Sequence, residues 1–227
     1  ISANLHKYFK RFNKNIIRVP ILCDLSNIMA GPETFLHFDN KVFKICFAGT
    51  ISCAKEGFNI LFEALEKLNS DKNVELYLYG PLHDNDKFVL EKLMTVLKLN
   101  SKVFYVGNID ADELLNEFKK YHLLILPRPL NLQTKYGFST KLSEYLVSGV
   151  PALVTDVSDN ALYIKDKING YIVPPGSPSK MADKILEIIS NYNMNAGEIA
   201  ENAKLTAVRE FDYRLYTRTF SDFFFKD

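Results

Sequence analysis

Short apolar runs alternate with helical patterns along nearly the whole chain, and that alternation restricts the fold more than any other feature. The runs are IIRVPIL (16–22), FKICFAG (43–49), VELYLYG (74–80), KVFYVG (102–107), HLLILP (122–127), PALVTD (151–156) and GYIVP (170–174). Several are apolar almost throughout, as parallel strands covered on both faces are. Between them GFNILFEALEKLNS places Ile60, Leu61, Leu65 and Leu68 at helical spacing, and DKFVLEKLMTVLKL and DADELLNEFKKY repeat the pattern. The last of these carries acidic residues in its first turn and lysines in its last, as the helix dipole favours. The reading is an α/β fold: a doubly wound, Rossmann-like parallel sheet of about six strands with helices on both faces.

Composition narrows what such a sheet serves. Hydrophobic residues make up 47% and charged residues 24% of the chain, an ordinary globular balance. A formal net charge of +1 gives no global field to attract nucleic acid, so an anion site has to be local. The three cysteines, Cys23, Cys46 and Cys53, form no CxxC pair, which fits a reducing compartment and a cytoplasmic location. The four histidines are scattered, so no metal site is expected. No apolar run approaches the roughly 18–20 residues that span a bilayer.

Ligands of doubly wound sheets bind outside the carboxyl ends of the strands, where following helices offer unpaired N–H groups. The exits are Gly49 to Lys55, Gly80 to Asn85, Gly107 to Asp110 and Pro127 to Thr140. Glycine at three of them also fits tight turns alone. Neither GxGxxG nor GxxxxGK[ST] occurs. The stretch KYGFSTKLSEYLVSGVPALVTD (135–156) is the most informative. A helix starting near Ser139 or Thr140 turns its positive end to the crevice, and Gly137 lets a ligand approach the backbone. Glu144 lies four residues beyond Thr140 on the same helical face, about 5–6 Å along it. There a carboxylate accepts hydrogen bonds from sugar hydroxyls, and Lys55 offers a cation to the same phosphates. The pattern suggests a nucleoside diphosphate with its ribose on Glu144; the alternative is an ordinary helix cap and a solvated glutamate.

The ends differ from the middle. ISANLHKYFKRFNKN reads as a basic amphipathic helix whose Lys7, Lys10, Arg11 and Lys14 form a solvated face. The aromatic tail, FDYRLYTRTFSDFFFKD, follows two further expected helices, and Phe223, Phe224 and Phe225 cannot all point inward from one helix.

The order FAGTISCAKEGFNILFEALEKL, LYLYG, VFYVGNIDADELLNEFKKYHLLILP, GFSTKLSEYLVSGVPALVTD and INGYIVPPGSPSKMADKILEII resembles the C-terminal, donor-binding half of GT-B-fold retaining glycosyltransferases of group 1, or family four. The similarity runs from about residue 42 to 225, and NIIRVPILCDLSNI is similar to the segment by which that family leaves its N-terminal domain. The resemblance implies two parts, with residues 1–40 ending the N-terminal domain and its linker, as helix and strand, and 41–227 forming the donor domain with a C-terminal crossover helix. It implies a UDP- or GDP-linked sugar as substrate, no cofactor, and retaining transfer of a hexose-type unit to an acceptor hydroxyl in glycolipid or polysaccharide synthesis. The acceptor domain belongs to the same polypeptide, and peripheral membrane association of the intact enzyme goes with that setting.

Residue by residue, Lys55 matches the family's phosphate lysine, whereas the arginine usual after Gly49 is Thr50. Glu144 matches the second glutamate of the Glu-x7-Glu pair, and the first is Tyr136, which occupies that catalytic position without a charge. By the same resemblance the backbone at Gly107, Asn108 and Ile109 faces the nucleobase, that at Phe138, Ser139 and Thr140 faces the pyrophosphate, and Gly49, Gly80 and Gly137 line the donor crevice. The changes at Thr50 and Tyr136 keep a second reading open, a nucleotide-sugar-binding module without transfer, and a GT-B-fold epimerase is a third.

Overall fold

The computed structural model describes residues 1–25, 37–68 and 73–225. The ends of the 15–28 segment, of the 57–70 helical pattern and of the aromatic tail lie outside them. The helices are α1 (Ala3–Phe9), α2 (Phe58–Leu68), α3 (Asp84–Val96), α4 (Ala111–Phe118), α5 (Leu132–Tyr136), α6 (Thr140–Ser148), α7 (Asn160–Tyr163), α8 (Pro178–Phe211) and α9 (Thr217–Phe224). The strands are β1 (Phe43–Ala48), β2 (Val74–Tyr79), β3 (Val103–Gly107), β4 (Leu123–Leu126), β5 (Ala152–Thr155) and β6 (Tyr171–Val173).

The strands form one sheet in the order β3-β2-β1-β4-β5-β6, every neighbouring pair parallel. Chain direction across the sheet reverses between β1 and β4, and their carboxyl ends flank the crevice where doubly wound sheets take ligands. Every residue of β4 and β5 is buried, as is all of β1 except Lys44, so the central sheet is covered on both faces. That covering explains why these runs are apolar rather than alternating.

Two expectations fail. The run 16–22 forms no strand; Pro20 has no N–H to give a ladder, and the segment is held instead by Arg18 on Asp159 and Tyr163, with a parallel bridge of Cys23 to Asp212 just beyond it. The two helices expected before the aromatic tail are one 34-residue helix, α8. Gly197 in its middle costs about 1 kcal/mol relative to alanine. The apolar stripe continues through that point, from Ile185, Ile188 and Tyr192 to Ala196, Ile199 and Ala203, all buried, and α8 packs along both α2 and α6.

Lys7, Lys10, Arg11 and Lys14 are exposed as expected, but the helix is shorter than residues 1–15 and holds only Lys7 of the four, with Lys10 at its C-cap. In α9 no residue is buried, and Phe224 is 67% exposed.

Candidate functional site

The exits of β1, β2 and β3 are stitched edge to edge. Gly49 N–H donates to the Tyr79 carbonyl, Ile51 N–H to that of Pro81 and Gly80 N–H to that of Gly107, all at 2.8–2.9 Å. This closeness requires glycine at two positions. A Cβ on Gly80 would lie 2.3 Å from the Gly49 carbonyl oxygen, and Gly49 itself, at φ +136°, faces the stem of Lys141. Asn108 and Ile109 border a cleft of about 310 Å³ shared with Tyr79, Val106, Asp110 and Glu113, whereas Gly107 does not line it. Thr50 is exposed beside Gly49, and half-buried Lys55 lies in the turn beyond, where Cys53 N–H donates to Asp86 at 2.8 Å.

On the other side of the crevice α6 begins at Thr140, with Ser139 as its N-cap. Ser139 is buried, yet its hydroxyl makes no cap bond to the helix and meets no partner among the described residues. A buried hydroxyl left unpaired at the positive end of a helix is unusual, because the interior rarely tolerates one. The helix is fixed from beneath by Tyr145, whose buried hydroxyl accepts from Ala48 N–H at 3.1 Å and donates to the Ile125 carbonyl at 3.3 Å. One side chain thus ties α6 to β1 and β4 together, and directs its first turn at their exits. Glu144, adjacent in sequence, is half-buried, and burial raises its carboxyl above the ordinary range while the Lys141 charge opposes that rise. The Cys23 thiol lies against Ser143; burial raises its pKa and the Glu144 carboxylate adds to the effect.

The loop ahead of α6 is tethered to the N-terminal segment. Asn4 donates to the Lys135 carbonyl at 2.9 Å, Ser2 to that of Tyr136, and Ser158 to that of Gly137. Asp159 holds the same segment by accepting from Ala3 N–H at 2.9 Å and pairing with Arg18 at 2.8 Å. The Tyr136 ring stands edge-on to Tyr8 of α1, with centroids 6.4 Å apart. Phe138 packs edge-on to Tyr163 and Phe211, which leaves its backbone as its route to a ligand.

Three residues that the sequence reading did not single out meet at the β1/β4 switch point. Glu56 is fully buried; its Oε1 accepts from Lys141 Nζ at 2.9 Å, and its Oε2 is 3.5 Å from Arg128 Nε. Lys141 and Arg128 are themselves only 7% and 5% exposed. The Lys141 stem crosses Gly49, where a Cβ would lie 1.9 Å from Cε, and its ammonium sits 5.0 Å from the centre of the Phe47 ring. Burial lowers the Lys141 pKa, Glu56 opposes that, and the charges of Arg128 and Lys55 lower it further. One signal in the sequence pointed here: Lys141 lies four residues before Tyr145, on the buried side of an apolar helix. Among the described residues no group of three or more His, Cys, Asp or Glu is placed to hold a metal ion, and no helix is long and apolar enough to cross a membrane.

Comparison with known proteins supplies the family. Residues 34–206, more than half the chain, match the family described as glycosyl transferases group 1. The uncharacterized glycosyltransferase MJ1607 of Methanocaldococcus jannaschii is 25% identical over 169 residues, 74% of this chain and 41% of that protein. The chain therefore spans less than half the length of that relative. Among solved structures, a TarM variant of S. aureus in complex with Fondaparinux, alpha-GlcNAc-glycerol and UDP superposes with TM-score 0.81 at 19% identity, covering 100% of this chain and 43% of that one. HepE of Anabaena in complex with UDP-glucose gives TM-score 0.68 at 20% identity over 79% of this chain and 48% of that one.

Proposed function

The chain belongs to the glycosyl transferases of group 1, and from that premise we propose that it is the donor-binding half of a retaining glycosyltransferase. The donor is a nucleoside diphosphate sugar, UDP- or GDP-linked. The observation that carries this reading is the start of α6: a buried, unpartnered Ser139 hydroxyl beside buried cations, with Glu144 one turn further along the same helix. Anionic oxygens at that helix end gain both unpaired N–H groups and the positive dipole. UDP and UDP-glucose in the HepE and TarM structures support the uridine form of the donor.

In this reading the diphosphate lies between the Gly49 turn and the backbone of Phe138, Ser139 and Thr140. The ribose hydroxyls donate to Glu144. The base enters the cleft beside Gly107, Asn108 and Ile109, whose backbone contacts it. As the glycosidic bond breaks, negative charge grows on the leaving diphosphate, and donors already in place stabilise it. A single well-aimed donor of this kind contributes about 100- to 1,000-fold in rate in other enzymes. Tyr136, where the relatives' sugar-side glutamate stands, offers one hydrogen bond and no charge. The acceptor hydroxyl, belonging to a glycolipid or polysaccharide precursor, is bound by a further domain of the same polypeptide. All three cysteines are free thiols, in keeping with reaction on the cytoplasmic side.

Calorimetric titration with UDP, GDP and ADP tests the reading. One nucleotide should bind saturably, and Glu144→Ala should weaken it tenfold or more. Failure of all three at millimolar concentration, or indifference to Glu144→Ala, would overturn the donor site.

The second reading, a nucleotide-sugar-binding module without transfer, rests on Thr50 and on the packing of the Tyr136 ring against Tyr8. Sugar transfer from a radiolabelled donor by the longer polypeptide distinguishes the two.

A further inference from the structure

The cluster at the switch point is out of electrostatic balance. Lys141 and Arg128 flank Glu56, and Lys55 acts on Lys141 from the adjoining turn, so three cations gather about one buried carboxylate. Burying unequal charge is costly, and removing one partner of even a matched buried pair is strongly destabilising. Two polar atoms of the cluster, Arg128 Nε and Glu56 Oε2, have no hydrogen-bond partner among the described residues, and neither has the neighbouring Ser139 hydroxyl. Interiors keep such groups unpaired mainly where a ligand or water completes them. A sugar-linked diphosphate carries two negative charges, and the three cations outnumber the carboxylates around them, Glu56 and the half-buried Glu144.

Resting on the donor-site reading above, we infer that Lys141, reaching across Gly49 from α6, is the diphosphate cation that Thr50 does not supply, with Arg128 as its neighbour. Glu56 is a positioning residue: it holds the Lys141 ammonium at Gly49 and keeps it charged despite burial. The geometry accounts for Gly49 as well, since any side chain there would occupy the space of the Lys141 stem. The charged groups facing Lys141 are Glu56 and Lys55 from the β1 exit, Arg128 from the β4 exit and Glu144 along its own helix. Among the described residues, only Glu56 is in hydrogen-bond contact with its ammonium. Without Glu56, the ammonium loses its proton at lower pH.

The test is calorimetric titration of the chain with inorganic pyrophosphate, and separately with UDP, over pH 6 to 10. Lys141→Met, which keeps the stem, should weaken both by tenfold to a hundredfold, the range for a lost charge-assisted bond, and Lys141→Arg should recover most of it. Glu56→Gln should move the alkaline decline of pyrophosphate affinity down by a pH unit or more, which a purely structural carboxylate would not do. Pyrophosphate binding unchanged in Lys141→Met, or superimposable pH profiles for Glu56→Gln and the parent, would overturn the assignment. So would a parent chain that binds neither probe. If Lys141→Met fails to fold, the Glu56→Gln profile and the Lys141→Arg affinities decide alone. Pyrophosphate bound through Lys141 with nucleotides ignored would sink the donor reading and spare the cation. Nucleotide bound through Glu144 but indifferent to Lys141 would do the reverse.

Discussion

At the scale of single residues, two titrating groups make opposite demands. Burial raises the Glu144 carboxyl, so its charged form is penalised in the fold. An acid whose folded pKa is raised contributes stability below its unfolded pKa and loses it as pH rises through the folded value. Glu144→Gln is therefore expected to raise the melting temperature at pH 7 while weakening nucleotide binding, and parallel thermal and calorimetric scans check both. His122 works the other way. It stacks on Phe43 with centroids 4.9 Å apart, its Nδ1 accepts from Lys44 N–H at 2.9 Å, and burial pushes its pKa down to about 4. A base with a lowered folded pKa loses stability as pH falls from its unfolded value, about 6.5, toward 4. The parent chain should thus melt earlier across that window, and His122→Gln, though less stable at pH 7, should show a flatter pH dependence.

At the scale of elements, α6 concentrates the functional geometry, and Tyr145 is what orients it. Tyr145→Phe removes a buried acceptor from Ala48 N–H and is expected to cost about 1–3 kcal/mol in urea unfolding. Slight release of the α6 start should also lower nucleotide affinity. The exits themselves were legible in the sequence because glycine marks them, and six of the seven strand runs form strands within a residue or two of their expected ends. The run 16–22 misled because β-branched composition describes a side chain's fit to a sheet, not whether a neighbouring strand exists to pair with it. Apart from the place of Lys141 on the buried side of α6, the Glu56, Lys141 and Arg128 cluster was illegible for a related reason. Glu56 and Lys141 are 85 residues apart, and only the adjacency of β1 and β4 brings them together. Ser139 and Thr140 could be placed at a helix start from local signals alone, since capping is a property of a few consecutive residues.

At the scale of the whole molecule, the sheet brings the candidate site residues to the carboxyl ends of its strands, and the tight stitching of those exits is the tolerance on which their placement depends. Gly80→Ala sets a new Cβ against the Gly49 carbonyl and forces a left-handed φ of +119° on alanine. It is expected to unfold the β1–β2 edge or to abolish soluble expression, which circular dichroism and yield would report. Beside the start of α6, Tyr8, Phe9 and Phe12 of the N-terminal region are 43%, 47% and 72% exposed.

That N-terminal region is not an idle appendage to the fold. Ser2 and Asn4 grip the carbonyls of Tyr136 and Lys135, one residue to either side of which the chain commits to the turn leading into α6. The turn at Gly137 is thus held from two sides, by Ser158 just beyond β5 on its own carbonyl and by the N-terminal segment on the two carbonyls before it. The start of α6 is therefore anchored outside the sheet as well as within it, through the first four residues of the chain.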